Sequence, residues 1–197
     1  MENEKRIVVA CEGNTAESMD WAQGIVLHKN ALKKGKKQTI KPLSSHVQHH
    51  FVFGGMFALF LALYLFGTRS NPSSVRTAIA ALNFGVVVMH IALGLTLKKA
   101  LDQVRKDYQA DHAGGDIIFD SFGIEDREPN GKTVRLGWKE YEMFVITNQV
   151  MTLILGNMLF VTPYQEEVCR QLTQALEYYG KAESIIDCRS SNHKGEL

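Results

Sequence analysis

The chain has no aspartate or glutamate between Trp21 and Leu101, although it contains 21 acidic residues elsewhere. The same 81-residue stretch holds two long apolar runs and ten of the 22 Lys and Arg residues. A carboxylate is costly at the depth of a bilayer, so an acid-free apolar stretch edged by Lys is typical of a membrane-inserted segment. Twelve basic and 21 acidic residues remain outside it. Because the basic excess does not lie on the polar parts of the chain, this distribution argues against a nucleic-acid binder.

The chain also has no C-x-x-C motif. Cys11, Cys169 and Cys188 are an odd number with no C-x-x-C spacing, which suits a reducing cytosol better than a disulfide framework. The N-terminus has only a five-residue apolar run, too short for the core of a signal peptide. The first long apolar segment is therefore expected to act as an internal anchor.

Two uncharged stretches are long enough to cross a bilayer. One has 27 residues between Lys41 and Arg69, and the other has 21 residues between Arg76 and Lys98. About 20 helical residues cross a hydrocarbon core of about 30 Å, so we predict spans at about 46–67 and 77–97 that form an antiparallel hairpin. The alternative is a buried hairpin in a soluble domain, but the rest of the chain offers little apolar surface to cover it.

Basic residues flank the hairpin on the side of both chain ends, and the loop holds only Arg69 and Arg76. The positive-inside rule then predicts a plasma-membrane protein with both termini in the cytoplasm. Four of these residues precede the first span in a tight cluster: Lys33, Lys34, Lys36 and Lys37. They either only set the orientation or also contact anionic lipid headgroups.

Small residues recur at a spacing of four in both spans, and this pattern predicts a close contact between the helices. The residues are Gly54, Ala58, Ala62, Ala81 and Gly85. Asn83 and His90 are seven residues apart and share one helix face. They form either a polar path or ligand site, or an interhelical hydrogen bond or oligomer contact; the sequence leaves both readings open.

The C-terminal part alternates with period two, which predicts about five antiparallel strands in a meander, at about 116–124, 134–138, 141–147, 150–155 and 158–162. Pro129 to Gly131 mark a hairpin turn. We predict that Thr162 caps the last helix, with Pro163 at its first position and Gln165 returning a bond, and that Gly180 ends it. Residues 185–197 are expected to form a tail.

The N-terminal part predicts one strand over 5–12 and a helix from a cap at Asn14 to about Leu32. Since the hairpin returns the chain to the same side, this unit can pack on the C-terminal domain. The expected domains are 1–40, a hairpin at 41–107, a sheet-plus-helix domain at 108–184, and the tail. The fold class is thus an α+β membrane protein whose hairpin is inserted in one cytoplasmic module.

Three segments carry a resemblance to a known family: IIFDSFGIE at 117–125, LGWKEYEMFVITNQVMTLIL at 136–155 and LFVTPYQEE at 159–167. Together with the order of parts, they resemble the YcxB-like family of bacterial membrane proteins. The resemblance implies a C-terminal domain similar to bacterial pleckstrin-homology (PH) modules, a plasma-membrane location and no assigned activity or cofactor. Tyr164 departs from the family pattern, in which a basic residue often follows the proline.

No pattern for catalysis, cofactor binding or metal binding stands out. His46, His49 and His50 have helical metal-ligand spacing but no Cys or carboxylate nearby, which favours a hydrated juxtamembrane cluster. Glu140 and Glu142 have no evident nucleophile or base as a partner. We therefore expect a non-enzymatic protein without cofactor, whose PH-like module binds a protein partner or a second copy. The alternative is a lipid- or ion-handling oligomer that uses the hairpin as a path.

Overall fold

The computed structural model describes residues 5–36, 39–67, 73–108 and 114–189 of an α+β protein with two long apolar helices and antiparallel sheets. The chain divides into two compact units. One is formed by both ends of the chain, residues 1–41 and 104–197, and the other by residues 42–103.

The elements follow one another as β1 (Ile7–Cys11), α1 (Ala16–Lys33), α2 (Leu43–Gly67), α3 (Ser74–Tyr108), β2 (Gly115–Phe119), β3 (Gly123–Arg127), β4 (Thr133–Gly137), β5 (Tyr141–Ile146), β6 (Val150–Leu155), β7 (Met158–Pro163), α4 (Glu166–Tyr178) and β8 (Ile185–Asp187).

The strands form two four-stranded sheets. The first sheet has the order β1-β2-β3-β4 and is antiparallel throughout, with Ile7 opposite Phe119. The second sheet has the order β7-β6-β5-β8, in which β8 runs parallel to β5. Because β1 pairs directly with β2, the helices α2 and α3 are an insertion between two neighbouring strands. This pairing agrees with the expectation that the N-terminal unit packs on the C-terminal domain.

Two hydrophobic cores cover the two faces of the second sheet, and β6 is buried along its whole length for this reason. On one face, Met151 and Leu153 pack with Leu172 and Leu176 of α4 and with the inner side of the first sheet. On the other face, α1 covers the sheet. Its residues Ala22 and Ile25 pack there with Met143, Val150 and Ile154. Each fully buried aliphatic side chain contributes about 1.5–3 kcal/mol, so α1 and α4 are both held by packing.

The strand predicted over 116–124 is two strands, β2 and β3. The carboxylate of Asp120 accepts backbone N–H groups from Phe122 at 2.8 Å and Gly123 at 3.1 Å, and these bonds fold the chain into a turn. Local side-chain bonds of this kind compete with a continuing strand. The predicted turn at 129–131 is confirmed, with Gly131 at a φ of 86° between β3 and β4.

The predicted start of the last helix is wrong. Thr162 and Pro163 belong to β7, where they lie opposite Met151 and Val150, and the helix begins after Gln165 without a side-chain cap. The buried register of β7 outweighs the local capping signal, since Thr162 is almost fully covered. The predicted end is confirmed, because Gly180 follows the helix with a φ of 70°.

The N-terminal helix is capped one residue later than predicted. Thr15 and Ser18 form a reciprocal capping box, with Ser18 N–H donating to Thr15 Oγ1 at 3.0 Å and Thr15 N–H donating to Ser18 Oγ at 2.8 Å. The C-terminal end also differs from the expected tail. Residues Ile185–Asp187 form β8 beside β5. Ile185 packs against one of the two hydrophobic cores, and Ile186 packs against the other.

The helices α2 and α3 are long and apolar enough to cross a membrane. The most apolar 18-residue windows of Leu43–Gly67 and Ser74–Val104 have mean hydropathies of 1.8 and 2.1. Within the described residues, only 6% and 11% of their most apolar windows are buried. A core hairpin of a soluble domain would bury far more, so the structure gives little support to that alternative. As predicted, α3 continues past Lys98 to Tyr108.

Candidate functional site

An open cleft of about 870 Å³ lies beside β5 and β8 in the unit formed by the chain ends. Its apolar lining comes from Trp21, Leu32, Ile40, Met143 and Ile186. Its polar lining includes Lys33, Lys36, Thr39, Glu142, Thr147, Gln149, Glu183 and Arg189. A concave surface that offers both apolar area and polar groups can hold a ligand, and here the polar residues are the more numerous.

Glu142 ties the end of α1 to β5 at this cleft. Lys29 Nζ lies 2.7 Å from Glu142 Oε1, and Lys33 Nζ pairs with Glu142 Oε2. Burial raises the pKa of the Glu142 carboxyl, but the hydrogen bonds and charges of Lys29 and Lys33 outweigh it, so the pKa is lowered. The cleft wall is therefore held by an anion shared between two cations.

A second groove of about 450 Å³ lies on the opposite side of β8, against α4. Tyr164, Cys169 and Thr173 contribute to it from β7's end and from α4, and Ile185 and Arg189 contribute from the β8 segment. Ile185, Asp187 and Arg189 line both the cleft and the groove. The two concave surfaces thus share the β8 segment as a common border.

The outer edge of β8 is an open sheet edge in the part of the chain that the structure describes. On its inner side β8 pairs with β5, and the N–H of Cys188 donates to the carbonyl oxygen of Ile146 at 2.8 Å. Since backbone groups alternate in direction along a strand, those of Ile185 and Asp187 point away from β5. An open edge of this kind is a template for pairing with a further strand.

Side-chain bonds hold the β8 segment in place. The guanidinium of Arg189 pairs with Asp187 and donates to the Tyr164 hydroxyl at 2.7 Å, and Ser184 Oγ donates to the Tyr141 hydroxyl at 3.1 Å. The hydrogen bond from Arg189 lowers the pKa of Asp187. Burial raises the pKa of Tyr141 to about 12, so its phenol stays protonated at neutral pH.

The four clustered lysines have different environments. Lys33, Lys34 and Lys36 are all exposed, but Lys33 is paired with Glu142, and Lys36 lines the cleft. Lys37 lies outside the described residues. The cluster is therefore not a uniform set of free cations.

Of the five small residues, Gly54 lies in the contact between α2 and α3. A Cβ atom placed on Gly54 would lie 3.4 Å from His90 Cβ. Ala58, Ala62 and Ala81 are exposed, and a Cβ on Gly85 would meet nothing within 4 Å. The second close approach is at Gly94, where a Cβ would lie 3.3 Å from Phe51 Cζ. Spacing alone did not reveal which helix face carries the contact.

Asn83 and His90 bond to different partners. Asn83 Nδ2 donates to Ile79 O on its own helix at 3.0 Å, while His90 Nδ1 lies 3.0 Å from His50 Nδ1 on the other helix. The interhelical hydrogen bond is one of the two readings of His90 that the sequence left open. His50 enters it as the partner that the sequence did not identify.

The described residues hold no group of three His, Cys, Asp or Glu side chains placed to bind a metal ion. The thiols are also poorly suited to nucleophilic chemistry. Burial, followed by the charges of Asp126 and Asp116, raises the pKa of Cys11 to about 12, and burial raises the pKa of Cys169 and of Cys188.

A comparison of the chain with protein-family models, curated proteins and solved structures finds no match. The features that the sequence did not reveal are the Glu142 ion pairs, the β8 edge and Gly94. The sequence does carry one signal for Gly94, because His50 and His90 are each followed four residues later by glycine.

Proposed function

We propose that the protein is a membrane-anchored, non-catalytic interaction module of the plasma membrane. In this proposal α2 and α3 cross the bilayer, both chain ends lie in the cytoplasm, and the two sheets with α4 bind a protein partner. Three observations support this location: the acid-free stretch, the exposed apolar surfaces of α2 and α3, and the Lys residues at both ends of the hairpin.

A PH-like description of the module is supported by the order of its parts. Seven strands that pair antiparallel in two sheets are followed by α4, which packs into the core between the sheets, and the short parallel strand β8 comes after it. The hairpin interrupts this order after the first strand and helix. Membership in the YcxB-like family belongs to the same proposal and is supported by the segments at 117–125, 136–155 and 159–167.

The observation that carries partner binding is the open edge of β8 between two concave surfaces. An extended segment of a partner that paired with this edge would gain main-chain hydrogen bonds with the carbonyl of Ile185 and with the backbone of Asp187, since the Ile185 N–H already donates to the Ala182 carbonyl. Its successive side chains would point alternately to the two faces of the sheet. One set would enter the cleft beside Trp21 and Lys36, and the other set would enter the groove beside Tyr164. Both concave surfaces would thereby serve one ligand.

Site-specific photocrosslinking in intact cells tests this assignment. A photoreactive amino acid replaces Glu183 at the cleft or Gln174 at the groove, both of which are exposed. Lys139, whose side chain is 87% exposed outside both surfaces, is the control position. We expect one and the same adduct from Glu183 and Gln174, and no such adduct from Lys139.

The masses of the adducts separate the outcomes. An adduct with a second copy of the chain would identify a homo-oligomer that uses this edge. The absence of any adduct at Glu183 and Gln174, in cells where both variants are folded and membrane-bound, would rule out the β8 edge as the binding surface.

A further inference from the structure

The contact between α2 and α3 has a local two-fold pattern. In each helix a histidine is followed four residues later by a glycine: His50 and Gly54 in α2, and His90 and Gly94 in α3. Each glycine faces the histidine of the other helix. A Cβ on Gly94 would lie 3.4 Å from His50 Cβ, and a Cβ on Gly54 would lie 3.4 Å from His90 Cβ. The glycines thus allow the two backbones to approach at the level of the histidines.

The two imidazole rings face each other through their Nδ1 atoms. His50 Nδ1 and His90 Nδ1 are 3.0 Å apart, which is a hydrogen-bond distance. In a neutral imidazole one nitrogen carries a proton and the other accepts, whereas an imidazolium has only donors. The bond therefore requires that at least one of the two rings is neutral. When both rings are protonated, the bond is lost and two cations face each other.

The surroundings make that doubly protonated state costly. Phe53 and Phe57 stack on the His90 ring with centroids 6.0 Å away, so the pair lies against aromatic surface. His49, whose ring centroid is 6.1 Å from that of His50, is a further titratable group beside the pair. No carboxylate occurs between Trp21 and Leu101 to compensate a second positive charge. Two positive charges at the 3.0 Å separation of the two nitrogens repel each other.

We propose that the His50–His90 pair is a proton-sensitive lock between α2 and α3. The lock is closed while the pair holds at most one extra proton, and it opens when acidification protonates both rings. Imidazole is the side-chain group that gains a positive charge on acidification from neutral pH, so a fall in pH is the signal that acts on this pair. This inference concerns the hairpin alone and does not depend on partner binding at β8.

Electron-spin distance measurements on the full-length protein in lipid nanodiscs test the lock. Spin labels are attached to Cys residues at Leu59 and Leu82, which are exposed on α2 and α3, in a chain whose native Cys residues are replaced by Ser. As the pH is lowered from about 8 to about 4.5, we expect the short-distance population to be lost in the chain with both histidines. Circular dichroism at each pH checks that the helices themselves persist.

Two variants distinguish the lock from a general effect of acid. His50→Asn keeps a hydrogen-bonding side chain but cannot become a cation, so its distance distribution should not change with pH. His49→Asn removes the neighbouring imidazole and should leave the pH response intact. An unchanged distance distribution in the parent chain, or a response that persists in His50→Asn, would overturn the proposal.

Discussion

The ammonium group of Lys29 lies 2.7 Å from a carboxylate oxygen of Glu142, although 113 residues separate them in the chain. The whole apolar hairpin lies between them in sequence. Lys33 binds the second oxygen of the same carboxylate. One acid thus links the end of α1 to β5 at the cleft, and the link joins the two parts of the chain that flank the hairpin.

Removal of this link should destabilise the unit. Glu142→Gln leaves Lys29 and Lys33 without their shared anion, and we expect a loss of about 1–2 kcal/mol at neutral pH, because the group is partly buried and its bonds are charge-assisted. Thermal unfolding of the full chain in detergent measures the loss. Glu167→Gln, at a fully exposed ion pair, is the matched control and should leave the melting temperature unchanged.

The effect should also depend on pH. Because the pKa of Glu142 is lowered in the folded protein, its contribution is present above the unfolded value of about 4.3 and is lost as the pH falls through the lower folded value. The stability difference between the parent chain and Glu142→Gln should therefore shrink in acid. A difference that stays constant down to low pH would mean that packing and not charge holds the cleft wall.

We expect the lysines of the cluster to have two different functions. Lys33→Gln should destabilise the protein as Glu142→Gln does, because Lys33 is engaged in the ion pair. Lys34→Gln combined with Lys36→Gln should leave stability unchanged but reduce the enrichment of anionic lipid around the reconstituted protein. Each exposed Lys near an anionic leaflet contributes about 1 kcal/mol. Lipid analysis by mass spectrometry after purification measures this, and unchanged enrichment would restrict the cluster to a role in orientation.

The helix contact at Gly54 can be tested by comparison with Gly85, where a side chain would touch no neighbouring residue. Gly54→Leu places a side chain against His90 and Ile91 and should reduce the amount of folded protein in membranes. Gly85→Leu makes the same chemical change where a Cβ meets nothing within 4 Å, and it should be tolerated. Folded protein is quantified by size-exclusion chromatography in detergent. Equal loss in both variants would show that helix propensity or insertion, and not the contact, is responsible.

The orientation in the membrane can be read with thiol reagents. Ser73→Cys, just before α3, should react with a membrane-impermeant maleimide in intact cells, while Lys139→Cys should react only after permeabilisation. The native thiols are poor reporters, because Cys169 is buried and the pKa of Cys11 is raised to about 12. If Lys139→Cys is labelled in intact cells and Ser73→Cys is not, the assigned topology is the reverse of the true one.

Period and composition were sufficient for the elements that depend on local pattern. The apolar runs of α2 and α3, the strand at Ile7–Cys11, the turn at Gly131 and the helix end at Gly180 all follow from the residues that form them. Local signals were misleading where a buried register competed with them. The local pattern predicts a helix start at Thr162 and Pro163. In the structure both residues belong to β7, because pairing with β6 buries Thr162.

Two apolar helices with basic flanks and a sheet-rich remainder could be predicted from the order of residues, because charge and hydrophobic period are properties of neighbouring residues. Three other features emerge from the folded chain: β8 is an edge strand between two concave surfaces, Glu142 joins Lys29 and Lys33, and His50 meets His90 opposite Gly54 and Gly94. These contacts link residues that are distant in the chain, and their partners are selected by packing against the whole fold rather than by any local pattern.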